Sequence, residues 1–352
     1  MFQRCFCLEG GNCIFPDGIR QESVYVCNGR ICPPVTDAVR IDCGGLYVAP
    51  GLIDLQVNGV AGLDFTASPE LISEAELALA CLGTTFFLPT IISQPLEYYQ
   101  KLPALDRIHY EGPFLHRQYA GAHDPACLQL NCVDIYANAT MVTLAPELDG
   151  ALDLIEQLRK RGVLVSCGHS GATAAIMKAA EKRGLQMVTH LFNAMRPFHH
   201  RTPSIIDYTL STRSLYYSLI VDGVHVSREA VLLAYNAHPT GLILVSDSSA
   251  LLGAESGTLG ARALDATGPY LAGSTTLAGS RSSLFDCMKR LSEYTGSLYE
   301  AMCAASFRPA ELLGLKNKGS LLSGMDADII VFTKAFELKE VFKAGKPVLG
   351  GI

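Results

Sequence analysis

The histidines of this 352-residue chain are confined to one part of the sequence. All nine lie from His109 to His238, and histidine is both a common metal ligand and a proton carrier. Four polar side chains in or near that stretch stand directly after short apolar runs: Glu111, His169, His190 and Asp247. If those runs are the strands of a barrel, all four side chains point toward one mouth, where barrel enzymes carry their working residues.

One carboxylate and two imidazoles form a normal ligand set for a catalytic zinc ion, and they leave the fourth position open for water. Such an ion lowers the pKa of its water toward ~7 and makes hydroxide available at neutral pH. An unligated Asp nearby can take a proton and return it. The sequence therefore predicts a metal site of Glu111, His169 and His190, with Asp247 as general base and acid.

Each of these side chains also has a structural interpretation. A histidine at a strand end is often only hydrogen-bonded in place, and Glu111 could cap a loop. Asp247, which precedes Ser248 and Ser249, could be a helix N-cap. The coincidence of four such residues at four strand ends favours the shared metal site.

The elements that must position these residues follow from the hydrophobic pattern. Eight apolar runs of β type alternate with helix-like segments, which predicts an α/β fold, the (β/α)8 TIM-type barrel. The predicted strands are 52–57, 84–88, 108–110, 141–144, 163–166, 187–189, 218–221 and 242–245. The predicted helices are 73–81, 152–161, 173–183 and 228–236.

The two ends of the chain have a different pattern. The first 47 residues are short apolar runs interrupted by Gly, Pro and Asn-Gly, which favours hairpins over helices, and the C-terminal stretch is similar. Chain termini often lie close together in a domain. We therefore expect a small β-sandwich domain from residues 1–47 plus 316–352, and a catalytic barrel from residues 48–315.

Composition excludes several classes of protein. The chain is 49% hydrophobic and only 18% charged, which excludes a disordered chain. Its net charge is −6 without a Lys/Arg run, so we expect no nucleic-acid partner, and no apolar window is long enough for a membrane span. The first residues lack the apolar core of a signal peptide. We therefore expect a cytoplasmic protein whose twelve cysteines are reduced.

Eight short segments, in order along the chain, carry a resemblance to a known family. They are PGLID at 50–54, HYEGPF at 109–114, GAH at 121–123, LAPE at 144–147, GHS at 168–170, THLFNAM at 189–195, DGVHV at 222–226 and VSD at 245–247. The first resembles the amidohydrolase superfamily, and the ordered set resembles its N-acetylglucosamine-6-phosphate deacetylase family. The resemblance implies metal-dependent release of acetate from N-acetylglucosamine 6-phosphate, giving glucosamine 6-phosphate in amino-sugar catabolism.

The resemblance also implies a role for individual residues. Glu111, His169 and His190 match the family's metal ligands, and Asp247 matches its general base and acid. The remaining matches are His123, which helps polarise the acetyl carbonyl, Asn193, Ala194 and His225, which hold the sugar phosphate, and Arg201, which reaches the phosphate of a neighbouring subunit's substrate. The last match implies a homodimer. The alternatives are a loop cap for His123, a core histidine for His225 and a solvated charge for Arg201.

Two positions depart from the wider superfamily. Many amidohydrolases carry His-x-His after the first strand signature, and this pair binds a second metal. Here the positions are Gln56 and Asn58, whose neutral amides are poor ligands for a zinc-type ion. We therefore expect one divalent ion per chain, most consistent with Zn²⁺, while Fe²⁺, Mn²⁺ and Co²⁺ also suit the donors. Gln56 either hydrogen-bonds the water on that ion or only fills the barrel floor.

Other departures lie outside the predicted ligands. Thr202 and Ser204 replace an acidic residue and a glycine that the family often has, the stretch after Asp247 is bulky, and the segment Gly253 to Gly279 is short. Two alternative functions stay open at this point. One is a different mononuclear amidohydrolase, and the other is a non-catalytic sensor of amino-sugar phosphates.

Overall fold

The computed structural model describes residues 5–253, 257–259, 262–265 and 268–351. Eight strands form one sheet in which their spatial order follows their order in the chain, and the paired neighbours from the second to the eighth strand are parallel. The strands are Leu52–Val57, Thr84–Ile92, His109–Glu111, Met141–Leu144, Leu164–Cys167, Met187–Val188, Tyr216–Leu219 and Leu242–Leu244. This nearly closed barrel confirms the predicted fold class.

Backbone contacts between the two end strands nearly close the barrel. Val57, the last residue of the first strand, forms a parallel bridge with Ser248, just beyond the eighth. The amide of Asp247 donates to the carbonyl oxygen of Gln56 at 3.0 Å, and the amide of Asn58 donates to that of Ser248 at 2.8 Å. The first strand and the segment that carries Asp247 are therefore held side by side.

Helices follow most of the strands, and their boundaries have local causes. Helix Ala151–Lys160 buries Leu154, Ile155 and Leu158 on one face, at the spacing of three and four residues that a helix requires. Side-chain caps start other helices, as where Thr173 accepts the amide of Ile176. The α-helices are Ala75–Cys81, Leu96–Tyr99, Ala151–Lys160, Ala174–Lys182, Ile205–Thr212, Arg228–Ala237, Leu284–Thr295, Leu298–Met302 and Arg308–Leu312.

Short helices and small sheets fill the connections. The 3-10 helices are Pro69–Glu74, Arg117–Tyr119, Pro125–Cys127, Val133–Tyr136 and Pro239–Gly241, and Cys303–Phe307 is a π-helix. The small antiparallel sheets are Gly59–Val60 with Leu63–Asp64, and Gly257–Leu259 with Arg262–Asp265 and Gly268–Leu271. Within the short segment noted from the sequence, residues 254–256, 260–261 and 266–267 lie outside the described residues. No helix in the described ranges is both long and apolar enough to cross a bilayer.

Both ends of the chain contribute to a second, mixed sheet, as the sequence predicts. Its strands are Cys5–Phe15, Gly18–Cys27, Arg30–Cys32, Val39–Asp42, Tyr47–Pro50, Ile329–Phe332, Leu338–Lys343 and Lys346–Pro347. Tyr47–Pro50 from the N-terminal part pairs antiparallel with Ile329–Phe332 from the C-terminal part. Leu8, Val48 and Val331 are among the side chains of its own hydrophobic core.

By internal contacts the chain divides into two compact units. One comprises Met1–Asp54, Glu74–Phe87 and Ser283–Ile352, and the other comprises Leu55–Ser73 and Leu88–Ser282. Every residue that the sequence singles out for metal, catalysis or substrate belongs to the second unit. The domain limits at residues 47 and 316 remain a prediction.

The expectation that all cysteines are reduced is wrong for one pair. Cys5 and Cys27 form a disulfide, and they face each other in the antiparallel pairing of the first two strands. Cross-strand partners lie close enough for such a bond, with Cα atoms 4.2 Å apart here. The other ten cysteines are free, and six of them are buried: Cys7, Cys13, Cys43, Cys167, Cys287 and Cys303.

Candidate metal and catalytic site

The four polar residues predicted at strand ends lie where the barrel strands stop. Glu111 is the last residue of its strand, while His169, His190 and Asp247 follow theirs within three residues. All four are buried. His169, His190 and Asp247 have φ angles of 50°, 32° and 48°, a left-handed conformation that costs free energy for residues with a side chain. Strained backbone at several neighbouring polar residues is typical of functional sites.

Three of these side chains bring their donor atoms together. The Nε2 atom of His190 lies 2.9 Å from Oε1 of Glu111, and that of His169 lies 3.3 Å from the same oxygen. The two Nε2 atoms are 3.2 Å apart. Among the described residues, Glu111, His169 and His190 are the one group of three whose ligand atoms all lie within 4.8 Å of one another. This separation suits three donors that share one ion.

The tautomer of His169 fits a metal ion as well. Nδ1 of His169 lies 2.8 Å from the carbonyl oxygen of Tyr119, which only accepts, so the proton is on Nδ1 and the lone pair of Nε2 faces the cluster. The buried Nδ1 of His190 has no hydrogen-bond partner among the residues that the structure describes. Burial opposes ionisation of Glu111, but its close contacts with the imidazoles of His123, His169 and His190 outweigh it and hold its pKa well below the usual range. A charged carboxylate with two imidazoles is the donor set that zinc-type ions prefer.

The two amides in place of His-x-His contact the carboxylates of the site. Gln56 donates from Nε2 to Oε1 of Glu111 at 2.8 Å, and Asn58 donates from Nδ2 to Oδ1 of Asp247 at 2.8 Å. Burial, with the negative charge of Glu111 adding to it, raises the pKa of Asp247 to about 6. A carboxyl with such a pKa can both accept and return a proton near neutral pH.

His123 is held in a defined tautomer beside the cluster. The backbone amide of Ser93 donates to Nδ1 of His123 at 3.2 Å, so Nδ1 carries no proton and the neutral ring is protonated on Nε2. Burial lowers the pKa of His123 to about 4 and keeps it neutral. Nε2 lies 3.5 Å from Oε2 of Glu111. His123 is therefore a neutral hydrogen-bond donor at the cluster.

One pocket contains most of the predicted site residues. Its lining includes Asn58, Glu111, His123, His169, His190, Asn193, Ala194, His225 and Asp247. Asn193 donates from Nδ2 to the carbonyl oxygen of His190 at 3.4 Å, and Ala194 has a φ of 49°. Arg201 is exposed and does not line this pocket, and Gln56 contacts the lining residue Glu111.

The sequence analysis assigned no role to three residues that contact the site. Ser93 binds His123, Tyr119 binds His169 through its carbonyl oxygen, and Asp222 binds His225. Asp222 had a usable signal, because it follows an apolar strand and lies three residues before His225. A backbone carbonyl such as that of Tyr119 has no such signal.

The fold and the donor cluster match a known class of hydrolase. The model of the amidohydrolase family matches residues 47–348, which is most of the chain. The chain therefore belongs to the amidohydrolase family.

The similar proteins have a more specific name. The N-acetylglucosamine-6-phosphate deacetylase of Bos taurus is 36% identical, over 99% of this chain and 95% of that protein. The crystal structure of N-acetylglucosamine-6-phosphate deacetylase from Thermotoga maritima has a TM-score of 0.89 at 29% identity, over 98% of this chain and 99% of that one. The Mycobacterium smegmatis enzyme, solved as a mutant with N-acetyl-D-glucosamine-6-phosphate, has a TM-score of 0.90 at 27% identity, over 98% of this chain and 100% of that one.

Proposed function

We propose that this protein hydrolyses the acetamide of N-acetylglucosamine 6-phosphate, releasing acetate and glucosamine 6-phosphate. The observation that carries the proposal is the buried cluster of Glu111, His169 and His190, with Asp247 and His123 lining the same pocket. The full-length similarity to deacetylases of that name supplies the substrate.

Glu111, His169 and His190 would hold one divalent ion, for which Zn²⁺ is our first choice. When bound, such an ion supplies a Lewis acid for the carbonyl oxygen and a water of lowered pKa. The hydrogen bond from Gln56 to Glu111 supports a single-ion site, because this amide occupies space on the carboxylate and offers it an N–H. Gln56 thus orients Glu111. This role differs from the hydrogen bond to the metal's water that the sequence suggested for Gln56, but it places Gln56 at the same ion.

The other residues move protons and hold the substrate. Asp247 takes a proton from the attacking water and then gives it to the departing amine, so its carboxyl ends the reaction as it began. His123 donates from Nε2 to the acetyl oxygen as negative charge develops there. Asn193, Ala194 and His225, on the same pocket wall, bind the sugar phosphate.

A homodimer is part of the proposal, with Arg201 binding the phosphate in the neighbouring subunit. Arg201 is exposed and outside its own pocket, as a residue serving another subunit would be. An apolar groove near its loop includes Phe198 and Leu233, whose exposed fractions are 62% and 63%. Large apolar side chains exposed together are typical of an interface. A second copy of the chain would cover both.

We also propose a cytoplasmic location and a role in amino-sugar catabolism. A sugar phosphate is charged, and charged groups cross a bilayer at a high free-energy cost. An enzyme that consumes it therefore shares a compartment with the reaction that phosphorylates the sugar. The Cys5–Cys27 disulfide lies in the terminal sheet and shares no residue with the pocket.

Acetate release before and after chelation tests the function. Protein purified without added metal is assayed with N-acetylglucosamine 6-phosphate, and its metal content per chain is measured by elemental analysis. We expect about one equivalent of a divalent ion, acetate release that chelation abolishes, and recovery on adding Zn²⁺. Tight binding of the sugar phosphate without acetate in any metal state would instead indicate a sensor and overturn the proposal.

A further inference from the structure

A buried carboxylate holds the imidazole that we place at the phosphate end of the pocket. Oδ2 of Asp222 lies 2.7 Å from Nδ1 of His225, and the two side chains are 4% and 5% exposed. Oδ1 of Asp222 accepts the backbone amides of Val224 and His225, both at 2.9 Å. Three hydrogen bonds therefore fix the carboxylate relative to the ring and to the loop that carries it.

This arrangement determines which nitrogen of His225 carries a proton. An ionised carboxylate only accepts hydrogen bonds, so Nδ1 of His225 is the donor. Burial opposes ionisation of Asp222, but the hydrogen bonds from the His225 ring and from the backbone amides of Val224 and His225 outweigh it and lower the pKa of Asp222. With a second proton on Nε2, the ring is an imidazolium. Its Nδ1 donates to Asp222, and its Nε2 can donate to an anion in the pocket.

The two pocket histidines outside the metal cluster, His123 and His225, thus have opposite partners on Nδ1. His123 accepts an amide there and is a neutral donor through Nε2. His225 donates there to a carboxylate, which stabilises the charged ring. A neutral donor suits a carbonyl oxygen, and a charged donor suits a phosphate dianion.

We infer that Asp222 is a positioning residue that keeps His225 charged and oriented for the substrate's phosphate. This inference rests on the proposed function, since it concerns how the same pocket selects a phosphorylated sugar. The bland alternative is that Asp222 only caps its loop through Oδ1. The two differ in what Oδ2 does, and one substitution separates them.

Asp222→Asn retains the acceptor for the two amides but places an N–H₂ group against Nδ1 of His225. The ring then accepts at Nδ1 and becomes neutral. We expect KM for N-acetylglucosamine 6-phosphate to rise about 10-fold to 100-fold, the range of a lost charge-assisted hydrogen bond, with a much smaller change in kcat. Binding of glucosamine 6-phosphate should weaken by a similar factor, and binding of glucosamine should change less. Asp286→Asn, which alters the carboxylate of a helix cap outside the pocket, is the matched control.

The outcomes separate the inference from the function. Wild-type protein that releases no acetate contradicts the proposed function itself. If wild-type turnover is normal, either of two results for Asp222→Asn overturns the role of Asp222. One is an unchanged KM, and the other is a change of kcat and KM that is the same for phosphorylated and unphosphorylated ligands. If the variant does not fold, NMR of ¹⁵N-histidine-labelled wild type with glucosamine 6-phosphate decides, using His225→Gln to assign the signal. A spectrum in which both ring nitrogens of His225 are protonated supports the inference, and a neutral His225 in the complex overturns it.

Discussion

The two parts of the pocket that we assign to the metal and to the phosphate, called here its metal end and its phosphate end, are built differently. At the metal end, Glu111, His169, His190 and Asp247 are buried at strand ends, and each is hydrogen-bonded to neighbours within the chain. At the phosphate end, Asn193 and His225 lie on loops and Arg201 is exposed. The metal end is complete within one chain, whereas the phosphate end has binding groups but lacks the arginine we assign to it.

The difference follows from what each end must do. Acyl transfer needs donors held within tenths of an ångström, and adjacent parallel strands supply that rigidity because their ends are fixed by the sheet. A phosphate is a large dianion that a charged side chain can reach from several directions. Changes at the metal end should therefore reduce kcat, and changes at the phosphate end should raise KM.

The largest effect is expected for Asp247→Asn. The amide keeps the shape of the side chain and can still accept from Asn58, but it cannot take a proton from water. We expect kcat to fall by about 1,000-fold or more, with KM and bound metal little changed. Steady-state kinetics with metal analysis measure this. Near-normal turnover would remove Asp247 from the reaction and break the contrast between the two ends.

His123→Gln should reduce kcat by about 100-fold, since one donor to a developing oxyanion is worth that much. KM should change little, because the hydrogen bond strengthens as charge develops on the oxygen. His116→Gln, at a histidine that does not line the pocket, is the matched control. A rise in KM at constant kcat would show that His123 binds the substrate in its ground state, and would place it with the phosphate end.

The buried carboxyl of Asp247 should also make the folded protein less stable. The ordinary pKa of Asp247 is 3.8, and burial together with Glu111 raises it to about 6 in the fold. Ionising it in the folded chain therefore costs free energy, fully above about pH 6 and not at all below about pH 4. Metal-free Asp247→Asn escapes this cost and should be about 1–3 kcal/mol more stable than metal-free wild type near pH 7.5.

Urea unfolding of both metal-free proteins at about pH 4 and pH 7.5 checks this linkage. The difference between variant and wild type should shrink toward zero at the lower pH. An equal difference at both pH values would mean that asparagine acts through packing, and that the site does not store electrostatic free energy.

Sequence reasoning located the barrel and the metal donors because both leave local signals. A buried parallel strand is a nearly continuous apolar run, and a polar residue directly after it marks the mouth of the barrel. Leu52–Val57 and Met141–Leu144 have the predicted limits, and Glu111 ends its strand. The groups that orient the site left weaker signals, since the amide of Ser93 and the carbonyl of Tyr119 act through backbone atoms.

The expected cytoplasmic location argued against any disulfide, and the strand register implied by the turn would not have revealed this one either. The turn that pairs Phe15 with Gly18 would place Cys5 opposite Asn28 in a regular hairpin. An irregularity between Leu8 and Gly11 shifts the register by one residue and brings Cys5 opposite Cys27. Such bulges depend on packing around the strand and are not visible in the run of residue types.

At the phosphate end, we expect Arg201→Ala to raise KM about 10-fold while kcat changes little. Mixing subunits sharpens the test. In a mixed dimer of Arg201→Ala and Asp247→Asn chains, the Arg201→Ala subunit retains Asp247 and would receive Arg201 from its partner. Low-KM activity should then reappear on mixing. Mixtures that keep the high KM of the Arg201→Ala parent would show that Arg201 does not act across an interface.

The smallest effect is expected for Ser93→Ala, and it tests how finely the metal end is built. The hydroxyl lies 2.9 Å from Nδ1 of His123, whereas the backbone amide that fixes the tautomer remains in the variant. Losing one of the two contacts to Nδ1 should lower kcat about 3-fold to 10-fold at unchanged KM, and Ser93→Thr should retain most activity. Ser306→Ala, which removes another buried hydroxyl outside the pocket, is the control. Equal kcat in Ser93→Ala and wild type would mean that the amide alone orients His123, so that the precision of this end lies in its backbone.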